Sequence, residues 1–145
     1  EQLIHFMTTN TWPYHGNSHP VRELIEKTIE EGGYQSDEVK TFWVENDQDE
    51  KVGIVKIYDL QDEIPLFDLR IADEARGRGY GPLALKKITE YVFNLPEGKI
   101  RLEGHTRQDN FEKRLSVQAL LKKHSCVRHG FHLKKDRTMM QLHTE

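Results

Sequence analysis

Residues 75–93 read ARGRGYGPLALKKITEYVF. Glycines at 77, 79 and 81, threaded with Arg76 and Arg78, lead into a stretch where Leu85, Ile88, Val92 and Leu95 recur every three or four residues. That spacing predicts a helix ending near Pro96-Glu97-Gly98, with Pro82 in its first turn, where a missing N–H costs little. Just upstream, IPLFDLRIA (64–72) alternates Phe67, Leu69 and Ile71 with Asp68 and Arg70, the period of a strand with one apolar face. Strand, glycine turn and helix start in this order put unpartnered backbone N–H groups and the positive end of a helix dipole at the end of a sheet, a setting for phosphate. Glycine also allows a ligand to approach the main chain closely, and such an approach offsets its entropic cost. The plainer reading is a tight turn with no ligand.

Two familiar phosphate loops do not fit. A dinucleotide fingerprint needs glycine at its first, third and sixth positions, and counting from Gly77 the sixth is Pro82. The nucleoside triphosphate loop requires a Gly-Lys-Ser/Thr ending that is absent here.

Working outward, VKTFWVEN (39–46) and KVGIVKIYDL (51–60) are rich in β-branched and aromatic residues and flank an acidic NDQDE connection, so they predict an antiparallel hairpin. Before them, EQLIHFMTT (1–9) has helical spacing at Leu3, Ile4 and Met7 and begins abruptly, as though a leading segment were missing. A Pro/Gly/Asn-rich loop carrying Trp12, Tyr14 and His15 follows, then a second helix with Ser18 as N-cap, Pro20 in its first turn, and Leu24, Ile25 and Ile29 as its apolar stripe up to Gly32-Gly33. Beyond the central helix, KIRLEGHT (99–106) predicts a strand, FEKRLSVQALLKKH (111–124) a helix, and CVRHGFHLKK and RTMMQLH two closing strands. Strand, helix, strand in the middle implies a parallel pair with a right-handed crossover inside a mixed sheet.

The 145 residues, 36% hydrophobic, suit one domain spanning 1–145. A formal net charge of −3 gives no overall basic footprint for nucleic acid. The single cysteine fits a reducing cytosol, and neither a membrane span nor a secretory leader is evident, so a soluble cytoplasmic protein is expected.

Arg76-x-x-Gly79-x-Gly81 resembles the pyrophosphate-binding motif of the GCN5-related N-acetyltransferase superfamily, in which Arg or Gln leads into Gly-x-Gly or Gly-x-Ala. FDLRIADEARGRGYGPLALKKITEYVF followed by KIRLEGHTRQDN looks like the branch containing the ribosomal-protein N-terminal acetyltransferases. The resemblance runs from the first helix to about Lys134 and is strongest from Phe67 to Asn110. It implies an α+β (α/β) fold: a mixed, mostly antiparallel sheet with a splayed central parallel pair, helices on both faces, and the usual first strand missing from this chain. It also implies acetyl-coenzyme A as cofactor. By the resemblance, Arg76, Gly77, Arg78, Gly79, Tyr80 and Gly81 hold the pyrophosphate; Ile71, Ala72 and Asp73 flank the pantetheine; and Asn110 contacts the cofactor arm.

Direct acetyl transfer to an amine needs a neutral amine, a polarised thioester and a proton for the leaving thiolate. A lysine-like amine is protonated at neutral pH, so a carboxylate in the cleft is the expected base, whereas an α-amino group is closer to ready. Asp68 is the preferred candidate, with Glu103 and His105 behind it. Pairing of Asp68 and Arg70 with neighbouring charges is the structural alternative. Trp12, Tyr14 and His15 are the candidate acceptor pocket; the alternative is that the aromatics plug the helix pair into the core. The acceptor is an amine, either a small molecule or a protein N-terminus.

The last third departs from the family pattern. Leu121 fills the slot of the tyrosine that serves as proton donor, and Ser125-Cys126 the slot of Gly-Phe, leaving Ser116 or His124 as substitutes. A degenerate member that binds coenzyme A or a partner without turnover is therefore the rival reading, and a module holding another nucleotide the second. His124, Cys126, His129 and His132 do not follow a common structural zinc spacing, so no metal is expected. An exposed terminal strand would offer an edge for homodimer pairing.

Overall fold

The computed structural model describes residues 1–104. Its elements run α1 (Gln2–Thr9), α2 (Arg22–Glu30), β1 (Lys40–Glu45), β2 (Lys51–Tyr58), β3 (Leu66–Ile71), a short 3-10 turn (Asp73–Ala75), α3 (Tyr80–Phe93) and β4 (Glu103–Gly104). The expected helix 111–124, both closing strands, and His105, Asn110, Ser116, Leu121, His124, Ser125, Cys126, His129 and His132 lie outside the described residues.

The strands form a sheet in the order β1-β2-β3-β4. The first two pairings are antiparallel, with Phe42 opposite Val55 and Lys56 opposite Asp68. β3 and β4 are parallel, Leu66 matching Glu103 and Phe67 matching Gly104. α3 is the crossover between them, as strand–helix–strand order requires. The mixed, mostly antiparallel sheet with helices on both faces is thus the expected one.

Side-chain alternation builds the two layers. Phe42, Val55, Ile57, Phe67 and Leu69 face α3, which buries Ala84, Leu85, Ile88, Val92 and Phe93 against them. Trp43 and Ile54 point the other way, into a cluster with Ile4, Phe6, Met7, Trp12 and Ile25 from α1, α2 and their connection. Gly104 lets the parallel pair close up: a Cβ there would lie 2.5 Å from the Phe67 ring. Among the described residues no helix is long and apolar enough to cross a membrane.

Three local expectations differ. α2 starts at Arg22 with Val21 as N-cap, so Ser18 and Pro20 belong to the preceding loop; Ser18 instead accepts the Trp12 N–H with its carbonyl. Of its apolar stripe only Ile25 is buried, because a nine-residue helix seated on one line of contacts leaves Leu24 and Ile29 exposed. Lys99 precedes the fourth strand rather than entering it, and its buried ammonium donates to the carbonyls of Leu60 and Asp62.

Candidate active site

β3 ends at Ile71, and the Ala72 N–H still bonds to the Val52 carbonyl (2.8 Å) before the chain turns through Asp73–Ala75. Gly77 (φ 73°) and Gly79 (φ 86°) then take the left-handed conformation, which a side chain would strain. Gly79 is the N-cap of α3 and no side chain caps that end. The N–H groups of Gly79, Tyr80 and Gly81 therefore lack intrahelical acceptors, while Pro82 has no N–H to offer. A Cβ on Gly77 or Gly79 would meet nothing within 4 Å, and Arg78 is exposed beside them. The loop is an open backbone surface carrying partial positive charge, suited to an oxyanion.

The second part of the site is the β3 face turned toward α1 and α2. Asp68 receives His15 Nε2 at 2.8 Å on one carboxylate oxygen and Arg70 Nε at 3.0 Å on the other. All three side chains are mostly buried. The neutral tautomer that donates Nε2–H to Asp68 carries its lone pair on Nδ1. That atom and Arg70 Nη1 are buried with no hydrogen-bond partner among the described residues. Across the strand pair, Lys56 places its ammonium 5.2 Å from the Tyr34 ring centroid and 5.7 Å from that of Tyr58. Burial pulls the Lys56 ammonium below the usual lysine range, against the opposing pull of Asp68. Burial likewise raises the Tyr34 and Tyr58 phenols. Glu103, matched with Leu66 in the parallel ladder, faces the same side as Asp68 and pairs with Arg101 at 2.6 Å.

The acceptor loop divides. Trp12 is 1% exposed and donates its indole N–H to the Met7 carbonyl (2.9 Å), so it is a core plug and does not line an open pocket. Its size and apolar surface put it between the helices and the sheet. Tyr14 is 37% exposed, and His15 turns inward to Asp68. His15 and Asp68 are each candidates by sequence, but they meet across 53 positions that no local pattern connects.

Two residues expected at the cofactor also reach elsewhere. The Asp73 carboxylate accepts the Thr11 N–H (3.1 Å) and the Thr11 hydroxyl (3.0 Å). Arg76 pairs with Asp73 (2.9 Å), donates from Nε to the Ile71 carbonyl (3.1 Å) and from Nη2 to the Thr11 carbonyl. Its guanidinium is thus engaged on the α1 side of the loop, leaving Arg78 as the exposed arginine of the pair.

A family model described as an acetyltransferase (GNAT) domain matches residues 2–120. No curated protein sequence matches the chain. Among solved structures, a spermidine N-acetyltransferase from Vibrio cholerae in complex with CoA and spermine aligns at 16% identity and TM-score 0.61, over 71% of this chain and 61% of that one. A chimera of the spermidine N-acetyltransferase SpeG from Vibrio cholerae with hSSAT aligns at 17% identity and TM-score 0.59, covering 69% of this chain and 62% of that one. A putative ribosomal-protein-serine acetyltransferase from Vibrio cholerae aligns at 19% identity and TM-score 0.59, over 81% and 70%. The chain thus spans about three fifths of the length of the two spermidine acetyltransferase chains. These likenesses carry the fold.

Proposed function

From a chain that belongs to the acetyltransferase (GNAT) domain family, we propose an enzyme that transfers an acetyl group from acetyl-coenzyme A directly to a primary amine, on a small molecule or a protein N-terminus. The observation that carries this reading is the juxtaposition along β3: an open glycine-loop helix start at its end, and the His15–Asp68 pair three residues before that end. The family of the chain makes coenzyme A the group to test against that loop. The residues fit it, since Gly77, Gly79, Tyr80 and Gly81 present backbone where a pyrophosphate is best stabilised and Arg78 adds charge. Ile71 and Ala72, at the strand end, flank the pantetheine, and Asn110 holds the cofactor arm. When bound, acetyl-coenzyme A supplies the activated thioester.

The residues of this chain handle the amine and its proton. The His15–Asp68 pair takes the proton from the ammonium as one unit, with Arg70 fixing the carboxylate. Both oxygens of Asp68 already receive donors, so Asp68 acts through His15 and stabilises an imidazolium formed there. Glu103 and His105 are the next candidate bases, and exposed Tyr14 borders the acceptor entrance. The domain comprises residues 1–145, works in the cytoplasm, and needs no metal, nucleic acid or membrane. Within the superfamily, FDLRI (67–71) and RLEGHT (101–106) favour the branch of the ribosomal-protein N-terminal acetyltransferases.

Release of free thiol from acetyl-coenzyme A, followed in the presence of spermidine and of peptides with free N-termini, tests the reading. Amine-dependent thiol release supports it, and a folded chain that releases none with any of these amines rejects turnover. A cofactor-binding protein without turnover is the second reading, favoured by Leu121 in the slot of the family's proton-donating tyrosine.

A further inference from the structure

Arg76 opens the glycine motif, yet the described contacts of its guanidinium go to the end of β3, to Asp73 and to the loop after α1. Nε donates to the Ile71 carbonyl at the end of β3, Nη1 pairs with Asp73, and Nη2 donates to the Thr11 carbonyl. Asp73 holds the same residue from the other direction, through the Thr11 N–H and hydroxyl, while its own N–H donates to Asn10 Oδ1 at 2.9 Å. Asn10 in turn donates to the Phe6 carbonyl of α1 (2.9 Å). The next residue along, Trp12, has two guanidinium groups near its ring: Arg76 at 5.7 Å from the centroid and Arg70 at 5.3 Å. The Trp12 carbonyl accepts the His15 N–H (3.0 Å), and Arg70 and His15 both close on Asp68. An unbroken series of charge-assisted bonds and ring contacts thus runs from the glycine loop to the His15–Asp68 pair.

We infer that Arg76 and Asp73 are a tether that fixes the 10–15 loop to the end of β3 and so sets the geometry of the His15–Asp68 pair, making Arg76 a positioning residue for the acceptor side rather than a phosphate ligand. This rests on the acetyltransferase reading for its catalytic meaning, although the tether itself is a property of the fold. The chemistry favours arginine over lysine here. A planar guanidinium serves three acceptors in different directions while lying against an indole, which one ammonium cannot do. It also links two parts of the site that are otherwise separate in sequence by more than 60 positions.

The test uses the whole chain with Arg76→Gln and Arg76→Lys, and Asp73→Asn as a variant one step further from the glycines. Two quantities are read: acetyl-coenzyme A affinity by calorimetry, and the ring nitrogen resonances of His15, identified by their loss in His15→Gln. The expected result for the Arg76 variants is affinity within about threefold of the parent, with the His15 Nε2 resonance moved toward that of a ring without its carboxylate partner. Lys at 76 does not restore the resonance. If the His15 resonance stays at its parental position in all three variants, the tether is overturned, whatever the affinity does. If Arg76→Gln lowers affinity about tenfold or more with His15 unmoved, Arg76 is a phosphate ligand instead. Where Arg76→Gln disturbs both, Asp73→Asn decides: a moved resonance with retained affinity supports the tether and an unmoved one overturns it. A parent chain that binds no acetyl-coenzyme A defeats the acetyltransferase reading and leaves the His15 measurement intact.

Discussion

The two halves of the candidate site are built from different materials. At the glycine loop the working surface is main chain: two left-handed glycines, an uncapped helix start, and open space where side chains would stand. On the β3 face, where Asp68 lies nine residues before Gly77, the working surface is side chains, with Asp68, His15 and Arg70 locked together and Lys56 close to two tyrosine rings. A backbone site tolerates changes that keep its angles and fails when bulk is added. A side-chain site fails when one atom of a network is changed. The variants below separate these two modes.

The largest effect is expected on the side-chain half. Asp68→Asn removes the charge that orients His15, and the turnover number should fall about 100- to 10,000-fold while acetyl-coenzyme A affinity is kept. Steady-state kinetics beside calorimetry measures both, and a variant with parental turnover would clear Asp68 of any part in proton transfer. Next comes the loop that joins the halves. Trp12→Ala should cost about 3–5 kcal/mol of stability because its ring is fully buried, whereas Tyr14→Ala should stay within about 0.5 kcal/mol. Urea denaturation of the pair checks this, and equal losses would mean that both rings pack into the core.

On the backbone half, Gly79→Val puts a branched side chain at φ 86° and projects it into the open loop. Acetyl-coenzyme A affinity should drop about tenfold or more, since bulk lies where the oxyanion sits. Gly104→Val is its counterpart: the added carbon runs into the Phe67 ring, so about 1–3 kcal/mol of stability is lost by overpacking. A Gly79→Val protein with parental affinity would remove the phosphate role from the loop.

The smallest effect is a pH slope. Lys56 has a folded-state pKa below the ordinary 10.5, so between the two values the unfolded chain binds more protons and stability from this group rises with pH. Lys56→Met abolishes that contribution, while Tyr34 and Tyr58 are common to both proteins. The stability advantage of the variant should therefore shrink as the pH rises toward 10.5, read from urea midpoints, and an advantage that grows with pH would contradict the buried-ammonium account.

What the sequence revealed follows the same division. The glycine loop, its strand and its helix are encoded by spacing over fewer than 30 neighbouring residues, from Leu66 to Phe93, so alternation and helical period sufficed to place them. The side-chain half depends on contacts between distant segments: His15 with Asp68 across 53 positions, Arg76 with Thr11 across 65. Local pattern carries no trace of such pairs, because only tertiary packing brings the 10–15 loop over β3. For the same reason the α2 start was misplaced, since Ser18 looked like a cap until its carbonyl was claimed by Trp12. Arg76 shows the limit most plainly: its position in the motif implied phosphate, whereas its contacts tie it to the acceptor loop.

The most direct measurement is a calorimetric titration of the folded chain with acetyl-coenzyme A, with NAD and ATP as controls. We expect saturable binding of acetyl-coenzyme A and at least about tenfold weaker binding of the two controls, because the glycine loop and the strand end together fit the whole cofactor. Equal binding of all three, or none of acetyl-coenzyme A by a chain shown to be folded, would contradict the assignment.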